Sequence, residues 1–293
     1  MDVRTALKQG IAQLRDAGVP SFTLAAELLL LHALSRDRTW LYAHPEALIS
    51  QQDAENFLAL LARRAAGEPT QYLTGKQEFW GLEFEVTPDV LIPRPETEHL
   101  IEVTLDRLAV REIRAGRKQI LTGEGLHIVD VGTGSGCIAI ALAKELPAAR
   151  PILATDVSAA ALAVAKRNAE RHSVRDRLAI IQMNFLTPLA GMYDVIVSNP
   201  PYIGRKEKAS LMREVRDHEP EIALYGGEEG YEIYAPLITQ ATESLKRGGL
   251  LVLELGHASL PAVQPLLDLS HWVNVGVTND LAGIPRVIAA ERA

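Results

Sequence analysis

The sequence contains a single cysteine, Cys137, among 293 residues. One thiol can form neither an internal disulfide nor a cysteine-rich zinc site. The eight histidines show no HExxH pattern and no grouping with Cys137, so we predict no metal site. A chain of this length needs neither device, because folding buries about three quarters of its unfolded surface.

Positive charge and long apolar runs are also scarce. Lys and Arg total 30 against 37 Asp and Glu, which gives a formal net charge of −7. Proteins that bind duplex DNA are usually basic, so we expect no direct nucleic-acid partner. The apolar stretch 24–34 contains Glu27 and His32 and is too short to cross a bilayer. Residues 1–4 lack the core of a signal peptide, so we expect a cytoplasmic protein without a membrane partner, and a monomer.

The first 75 residues have a helical pattern. Apolar residues recur at helical spacing in the segments 5–15, 22–35 and 53–66, and Ser21 is placed to cap the second segment. Because no strand pattern interrupts them, we predict a small N-terminal helical bundle over residues 1–75.

Aromatic and β-branched residues replace the helical pattern from residue 76. Residues 78–86 partly alternate between polar and apolar, Thr87-Pro88-Asp89 is a turn signal, and residues 90–92 form a second apolar run before Pro93. The pattern predicts a β-hairpin linker over residues 76–95, with its turn at Thr87-Pro88-Asp89.

Strands and helices alternate in the remaining domain, residues 96–293, after a first helix over 96–109. Such alternation predicts a parallel sheet with helices on both faces, and two tail strands predict an antiparallel edge pair. We therefore expect an α/β, Rossmann-like fold with a seven-stranded sheet. The predicted strands are 126–131, 151–156, 178–183, 193–198, 249–255, 272–277 and 287–290, and the predicted helices are 136–146, 158–172, 231–246 and 258–268.

A glycine-rich loop follows the first of these strands. It consists of Gly132, Thr133, Gly134, Ser135 and Gly136, which let the backbone turn sharply and approach a ligand closely. The dinucleotide fingerprint needs a third glycine where Cys137 stands, so the loop suits a nucleoside ligand with an amino-acid tail better than NAD. A tight turn without a ligand is the simpler alternative, and Cys137 is more typical of a packing residue than of a nucleophile.

The next two strands end in polar side chains. Asp156 lies about 20 residues past the loop, where an acid can accept hydrogen bonds from ribose hydroxyls. Asn184 could meet an adenine amino group, and Phe185 could cover the ring. Asp156 could instead cap the helix that begins near Ser158.

The fourth strand runs into Asn199-Pro200-Pro201-Tyr202. The prolines fix φ and lack N–H groups, which leaves the Asn199 side-chain oxygen and the Pro200 carbonyl as rigid acceptors. Two such acceptors can hold an NH₂ group, and Tyr202 can stack on a flat amide or base. Glutamine amides and adenine both fit, whereas a proline turn that closes a strand is the structural alternative.

These motifs resemble the peptide chain release factor glutamine methyltransferases, the HemK/PrmC family, over nearly the whole chain. Residues 130–136 resemble the cofactor loop of this family, and residues 198–203 resemble its catalytic loop. The resemblance is also carried by residues 69–75, 78–81, 92–98, 218–220 and 280–286. Asn184 stands where many relatives have Asp, and the stretch 107–125 is longer than usual and has no assigned role.

The resemblance implies an S-adenosylmethionine-dependent enzyme that methylates the glutamine amide in the Gly-Gly-Gln loop of peptide chain release factors. It implies that residues 132–136, Asp156, Asn184, Phe185 and Asn199 bind the cofactor. It also implies that Asn199, Pro200, Pro201 and Tyr202 bind the substrate, with Asn199, Pro200 and Tyr202 in catalysis. It further implies that the N-terminal helical domain helps to bind the protein substrate.

Three alternatives remain at this point. Adenine-amino DNA methyltransferases share the Asn/Asp-Pro-Pro-Tyr loop, but the acidic charge disfavours them. A sister family methylates a ribosomal protein glutamine, and the segment Arg94-Pro95-Glu96-Thr97-Glu98 distinguishes it. A non-catalytic binding module is disfavoured by the intact loop at Asn199.

Overall fold

The computed structural model describes residues 1–114, 116, 121–184, 192–267 and 270–293. Phe185 lies outside the described residues, as do residues 115 and 117–120 of the unassigned stretch 107–125. The chain forms two compact units, Met1–Lys76 with Leu211–Glu219, and Gln77–Ser210 with Pro220–Ala293.

Helices occur throughout the described residues. The α-helices are, in chain order, α1 (Val3–Asp16), α2 (Phe22–Leu34), α3 (Arg38–Ala43), α4 (Gln51–Ala65), α5 (Thr70–Thr74), α6 (Glu98–Arg114), α7 (Cys137–Glu145), α8 (Ala159–Arg171), α9 (Arg213–His218), α10 (Glu221–Leu224), α11 (Tyr234–Ser244) and α12 (Leu260–Val263). Short 3-10 helices span Pro95–Thr97, Arg175–Arg177, Arg205–Ser210 and Gln264–Leu266.

The first unit is built from α1 to α5 and α9, which confirms the predicted helical N-terminal region. Asp2, Asp37 and Ser50 begin α1, α3 and α4, and each side chain accepts a hydrogen bond from the backbone N–H three residues later. Ser21 precedes α2 as predicted, but its side chain makes no capping hydrogen bond because its backbone is left-handed, with φ of 49°.

Close packing of α1 on α4 depends on Gly10. A Cβ atom at Gly10 would lie 2.7 Å from Cζ of Phe57, whose ring is fully buried. Arg64 of α4 pairs with Glu214 of α9, and the Arg64 side chain is itself buried. This buried ion pair joins residues 211–219 to the first unit.

The second unit contains the predicted seven-stranded sheet. The strands of the chain are β1 (Lys76–Phe79), β2 (Leu82–Glu85), β3 (Ile128–Val131), β4 (Ile152–Asp156), β5 (Leu178–Gln182), β6 (Tyr193–Ser198), β7 (Ile203–Gly204), β8 (Tyr225–Gly227), β9 (Leu245–Glu254), β10 (Trp272–Asn279) and β11 (Pro285–Arg292). The sheet order is β10-β11-β9-β6-β3-β4-β5. Strands β3, β4, β5, β6 and β9 are parallel, and β10 and β11 form the expected antiparallel edge.

Helices cover both faces of this sheet. Successive β3 residues point to opposite faces, and each set packs against helices. Ile128 packs in a core with residues of α6, α7 and α8. Val129 and Val131 pack in a second core with Tyr234 of α11, Val263 of α12 and Trp272 of the edge strand. Both faces of the parallel strands are therefore buried, as their continuous apolar sequences require.

The hairpin turn lies earlier than the sequence predicted. Strands β1 and β2 pair with each other, and the turn between them is Trp80-Gly81, with φ of 55° and 68°. Positive φ at both central residues is the turn geometry that matches the twist of a hairpin. Thr87-Pro88-Asp89 is a separate bend, and residues 90–92 form no strand, so that part of the prediction was wrong.

Asn168 of α8 joins this hairpin to the glycine-rich loop. Its fully buried side-chain amide accepts a hydrogen bond from the Glu85 N–H at 2.7 Å. It donates to the carbonyl oxygens of Glu85 at 3.0 Å and Ser135 at 2.9 Å. One side chain therefore satisfies three backbone groups in two separate segments.

Replacing Asn168 with Ala should destabilise the protein by about 2–3 kcal/mol, because buried backbone groups lose their partners. Urea unfolding, followed by circular dichroism, measures this loss. The control is Asn56→Ala on α4, where the side chain is exposed and accepts a hydrogen bond from Gln52. Equal unfolding midpoints for the two variants would contradict the role given to Asn168.

Candidate active site

A cavity of about 680 Å³ opens where β3, β4 and β6 end. The strand order reverses between β3 and β6, and ligands of open α/β sheets bind at such a reversal. The predicted site residues that line the cavity are Gly132, Thr133, Gly134, Ser135, Asp156, Asn184, Asn199, Pro200 and Pro201. Gly136 and Tyr202 are not among the lining residues, although each adjoins one that is.

The glycine-rich loop wraps around the end of β4. Gly132, Gly134 and Gly136 have φ of 74°, 54° and 84°, which glycine adopts without strain. The N–H groups of Gly132 and Thr133 both donate to the Thr155 carbonyl, at 2.9 and 2.8 Å. At Gly134 an added Cβ would meet nothing within 4 Å, so the backbone there is open to a ligand.

Asp130 lies buried beneath this loop. Thr133 Oγ1 donates to its Oδ2 at 2.6 Å, and the Ala139 N–H donates to the same atom at 3.2 Å. Its other oxygen, Oδ1, has no hydrogen-bond partner among the described residues. Burial raises the pKa of Asp130 to about 7. Asp130 does not line the cavity, and its hydrogen bond from Thr133 supports the glycine-rich loop from beneath.

Asp156 and Asn184 lie at the ends of the next two strands. Asp156 Oδ2 accepts a hydrogen bond from the Gly134 N–H at 2.9 Å, and its Oδ1 accepts one from the Ser158 N–H at 2.9 Å. The residue that caps α8 is Ser158, whose Oγ accepts from the Ala161 N–H. Asp156 therefore braces the loop and also faces the cavity, and Asn184 lines the cavity as an exposed side chain.

Cys137 lines the cavity, but its thiol is not set up for nucleophilic attack. Burial raises the pKa of this thiol to about 12, so it stays protonated at neutral pH. A protonated thiol is a weak nucleophile, which agrees with a packing role.

Asn199 stands at the end of β6, beside the end of β3. Ser198 Oγ donates to the Val131 carbonyl at 2.7 Å, which fixes the strand end. The Asn199 side chain donates from Nδ2 to the Thr97 hydroxyl at 3.0 Å. With its nitrogen engaged, the Asn199 amide can offer its oxygen as an acceptor to a ligand in the cavity.

The hydroxyl of Tyr202 is anchored within the protein. It donates to Glu254 Oε1 at 3.2 Å, and burial raises the pKa of the phenol well above its ordinary value. Burial also raises the pKa of Glu254 to about 7, against the effect of hydrogen bonds from Thr97 and Tyr202. The predicted stacking of Tyr202 on an acceptor amide stays a prediction.

Backbone contacts hold the segment that follows Asn199. Strand β7 pairs with β8, and a Cβ at Gly226 would overlap the Pro201 carbonyl. A Cβ at Gly204 would lie 2.7 Å from the Glu228 carbonyl oxygen. Glu232 accepts hydrogen bonds from the N–H groups of Glu229 and Gly230, at 2.9 and 2.8 Å, which complete the turn.

Sequence reasoning missed four of these supporting residues. Thr97, Asn168, Gly226 and Glu254 reach the site from segments far from the two loops. Glu254 carried one signal, because it is a lone acid at the end of the apolar run 250–255.

Two further kinds of feature are absent from the part of the chain that the structure describes. No three His, Cys, Asp or Glu side chains there are grouped as metal ligands. None of the helices in those ranges has both the length and the apolar character of a bilayer crossing.

Two family models match the sequence, one in its N-terminal part and one in its central part. Residues 5–75 match the PrmC N-terminal domain, and residues 118–221 match the methyltransferase small domain. The release factor glutamine methyltransferase of Koribacter versatilis is 41% identical over 292 residues, which cover 100% of this chain and 99% of that protein. That of Nitratidesulfovibrio vulgaris is 43% identical over 290 residues, covering 98% and 94%. The chain belongs to the release factor glutamine methyltransferase family.

Solved structures support the fold of this family member. The hMettl16 catalytic domain in complex with the MAT2A 3′UTR hairpin 6 has a TM-score of 0.57 at 20% identity, covering 79% of this chain and 81% of that one. The N-terminal domain of human METTL16 in complex with SAH has a TM-score of 0.51 at 21% identity, covering 80% and 84%. At these identities the likeness concerns the methyltransferase fold alone.

Replacing Asp156 with Ala or Asn should weaken binding of S-adenosylhomocysteine by about 10- to 100-fold. A hydrogen bond to a charged group contributes about 1.5–3 kcal/mol, and the loop also loses its brace. Titration calorimetry measures the dissociation constant, with the exposed Asp106→Ala as control. An unchanged constant in both Asp156 variants would rule out its contact with the ligand.

Replacing Gly226 with Ala should lower kcat by at least about 10-fold, because the new Cβ must displace the Pro201 carbonyl beside the reacting groups. Affinity for S-adenosylhomocysteine should change little. Gly18→Ala is the control, since its φ of 70° imposes backbone strain while its Cβ meets nothing within 4 Å. Wild-type turnover by the Gly226 variant would show that the loop tolerates the shift.

Proposed function

We propose that this chain transfers a methyl group from S-adenosylmethionine to the side-chain amide nitrogen of the glutamine in the Gly-Gly-Gln loop of peptide chain release factors. Its family membership supports the reaction class, the cofactor and the protein substrate. The observation that carries the residue assignment is the Asn199 amide, whose nitrogen bonds to Thr97 while its oxygen is available.

The cofactor half of the cavity suits S-adenosylmethionine, which supplies an electrophilic methyl group on a sulfonium. The loop 132–136 provides backbone space for the amino-acid tail, and Asp156 has lone pairs to spare for ribose hydroxyls. We assign Asn184 and Phe185 to the adenine. The cavity of about 680 Å³ is of the size that holds a nucleoside ligand.

The acceptor half has to make a poor nucleophile react. The lone pair of an amide nitrogen is delocalised into its carbonyl, so the nitrogen must be oriented before it can attack. We assign the Asn199 oxygen and the Pro200 carbonyl to the two N–H bonds of the glutamine. Holding both N–H bonds directs the lone pair toward the methyl group, and such positioning can contribute up to about 7–11 kcal/mol.

Preorganised acceptors also stabilise the positive charge that develops on the nitrogen as the new N–C bond forms. The proton on that nitrogen becomes acidic only after transfer, so no strong general base is needed beforehand. Pro201 and Tyr202 complete the proposed substrate site, with the Tyr202 ring packed against the amide.

We further assign residues 1–75 to recognition of the protein substrate, 76–95 to a linker and 96–293 to catalysis. The helical first unit presents exposed apolar side chains, Leu24 and Leu28 of α2 and Leu58 of α4, that a protein partner can cover. A release factor acts in translation, so we place the reaction in the cytoplasm, with a monomeric enzyme that needs no direct nucleic-acid contact.

Asn199→Ala should lower kcat by at least about 100-fold and leave affinity for S-adenosylhomocysteine within a few-fold of the wild type. The assay incubates release factor and S-adenosylmethionine with enzyme and locates the added methyl by mass spectrometry. Asn279→Ala, an exposed asparagine on β10, is the control.

A release factor with Asn in place of the Gly-Gly-Gln glutamine should not be methylated. If the wild-type chain adds no methyl to the natural glutamine, the proposed function is wrong. Methylation of adenine in duplex DNA, or of a ribosomal protein glutamine in its place, would identify the alternative substrate.

A further inference from the structure

A buried carboxylate lies behind the catalytic asparagine. Glu254 is the last residue of β9 and is 1% exposed. Because Ser198 of β6 pairs with Leu253 of β9, the next residues along the two strands are Asn199 and Glu254. Sheet register therefore places the carboxylate beside the start of the catalytic loop.

Thr97 connects the two residues. It ends the 3-10 helix Pro95–Thr97 and is 2% exposed. Its hydroxyl accepts the Asn199 Nδ2–H at 3.0 Å, and the interaction of Thr97 with Glu254 lowers the pKa of that carboxyl. Glu254, Thr97 and Asn199 thus form a short buried chain that ends at the cavity.

The number of available protons determines which group in this series of side chains donates and which accepts. A hydroxyl has one proton, and an ionised carboxylate can only accept. When the Thr97 hydroxyl donates its one hydrogen bond to Glu254, only its oxygen lone pairs remain available to Asn199. Thr97 can then bond to the NH₂ side of the Asn199 amide but not to its oxygen.

The direction matters because an asparagine amide has nearly the same shape in two orientations, in which its oxygen and its NH₂ group exchange places. Rotated by half a turn, Asn199 would present an NH₂ group to the NH₂ group of the acceptor, and two donors repel. We propose that Glu254 is a positioning residue that acts through Thr97 to keep the Asn199 oxygen toward the acceptor nitrogen. This inference rests on the proposed function. The orientation of the Asn199 amide can also be measured in the free protein.

The same carboxylate also holds the other end of the loop. Tyr202 donates to Glu254 Oε1 at 3.2 Å, three residues after Asn199. In the proposed arrangement one buried acid therefore contacts Tyr202 directly and acts on Asn199 through Thr97. Arg286 of β11 lies close enough to stabilise the carboxylate form, whereas Glu96 opposes it.

The decisive comparison uses three threonine variants. Thr97→Val keeps the shape but removes the hydroxyl, and kcat should fall about 10- to 100-fold with little change in KM. Thr97→Ser restores the hydroxyl and should recover most of the loss. Thr104→Val is the structural control, because Thr104 is also buried and its hydroxyl donates to the Leu100 carbonyl of its own helix.

Two outcomes of this comparison would overturn the proposal. One is a Thr97→Val enzyme with the kcat of the Thr104→Val control. The other is a Thr97→Ser enzyme no faster than the valine variant, since the hydroxyl would then not be what matters. Thermal unfolding of all three variants separates loss of stability from loss of kcat.

The pH profile of kcat gives a second readout. Burial raises the Glu254 pKa to about 7, so its carboxylate form is lost as the pH falls through 7. Protonated Glu254 no longer fixes the Thr97 proton, and kcat at saturating substrates should decrease over this range. Glu254→Gln should remove that decrease; an unchanged acid limb would contradict the assignment.

Three other buried groups that interact electrostatically with Glu254 do not titrate near pH 7. Tyr202, Tyr234 and Cys137 keep their protons there because burial raises each pKa far above 7. Asp130 does have a pKa of about 7, but it lies beneath the cofactor loop. Its protonation should therefore affect cofactor affinity, which saturating cofactor hides.

Nuclear magnetic resonance tests the positioning without turnover. The chain has six asparagines, and selective ¹⁵N labelling isolates their side-chain signals, with Asn199→Ala identifying the Asn199 pair. Hydrogen exchange of that pair should be faster in Thr97→Val and Glu254→Gln than in the wild type, and unchanged in Thr104→Val. Equal exchange in all variants would reject the positioning role, whereas absence of methylation by the wild type would reject only the proposed function.

Discussion

The parallel pairing of β3 with β6 is the constraint on which the site depends. Val131 pairs with Ser198, so both strands end at the same level of the sheet. The chain then leaves the sheet twice, at Gly132 and at Asn199, and a Cβ on Gly132 would lie 4.0 Å from the Asn199 carbonyl oxygen. Neighbouring strands are about 4.8 Å apart, which brings the glycine-rich loop and the segment 199–202 together, as the proposed methyl transfer requires.

Most of the sheet could be predicted because its parallel strands are buried on both faces. Such strands are short apolar runs bounded by glycine, proline or polar residues, and 128–131 and 193–198 both have that pattern. The hairpin turn was misplaced because Thr87-Pro88-Asp89 is a strong local turn signal. Trp80 carries a φ of 55°, which a bulky residue rarely adopts, so its role as a turn residue was not visible in the sequence.

In the site, too, features with a local sequence pattern could be predicted, whereas contacts between distant segments could not. Residues at strand ends could be predicted to line one cavity, because the ends of parallel strands meet at one edge of the sheet. Asp156 is the last residue of β4, and Asn199 directly follows β6. Thr97 is 102 positions from Asn199 in sequence, and only the folded chain brings the two together. Supporting residues of this kind leave no spacing pattern, since their partners lie on different elements.

Main-chain packing around the segment 199–204 separates the surface charge of the protein from the positions of the proposed reacting groups. Gly226 and Gly204 pack on backbone atoms, whereas the side chains of Glu228 and Glu229 point away and are exposed. Substitutions at these exposed positions can alter the surface charge while the proposed reacting groups keep their places. A frame of this kind allows partner preference to evolve independently of the chemistry.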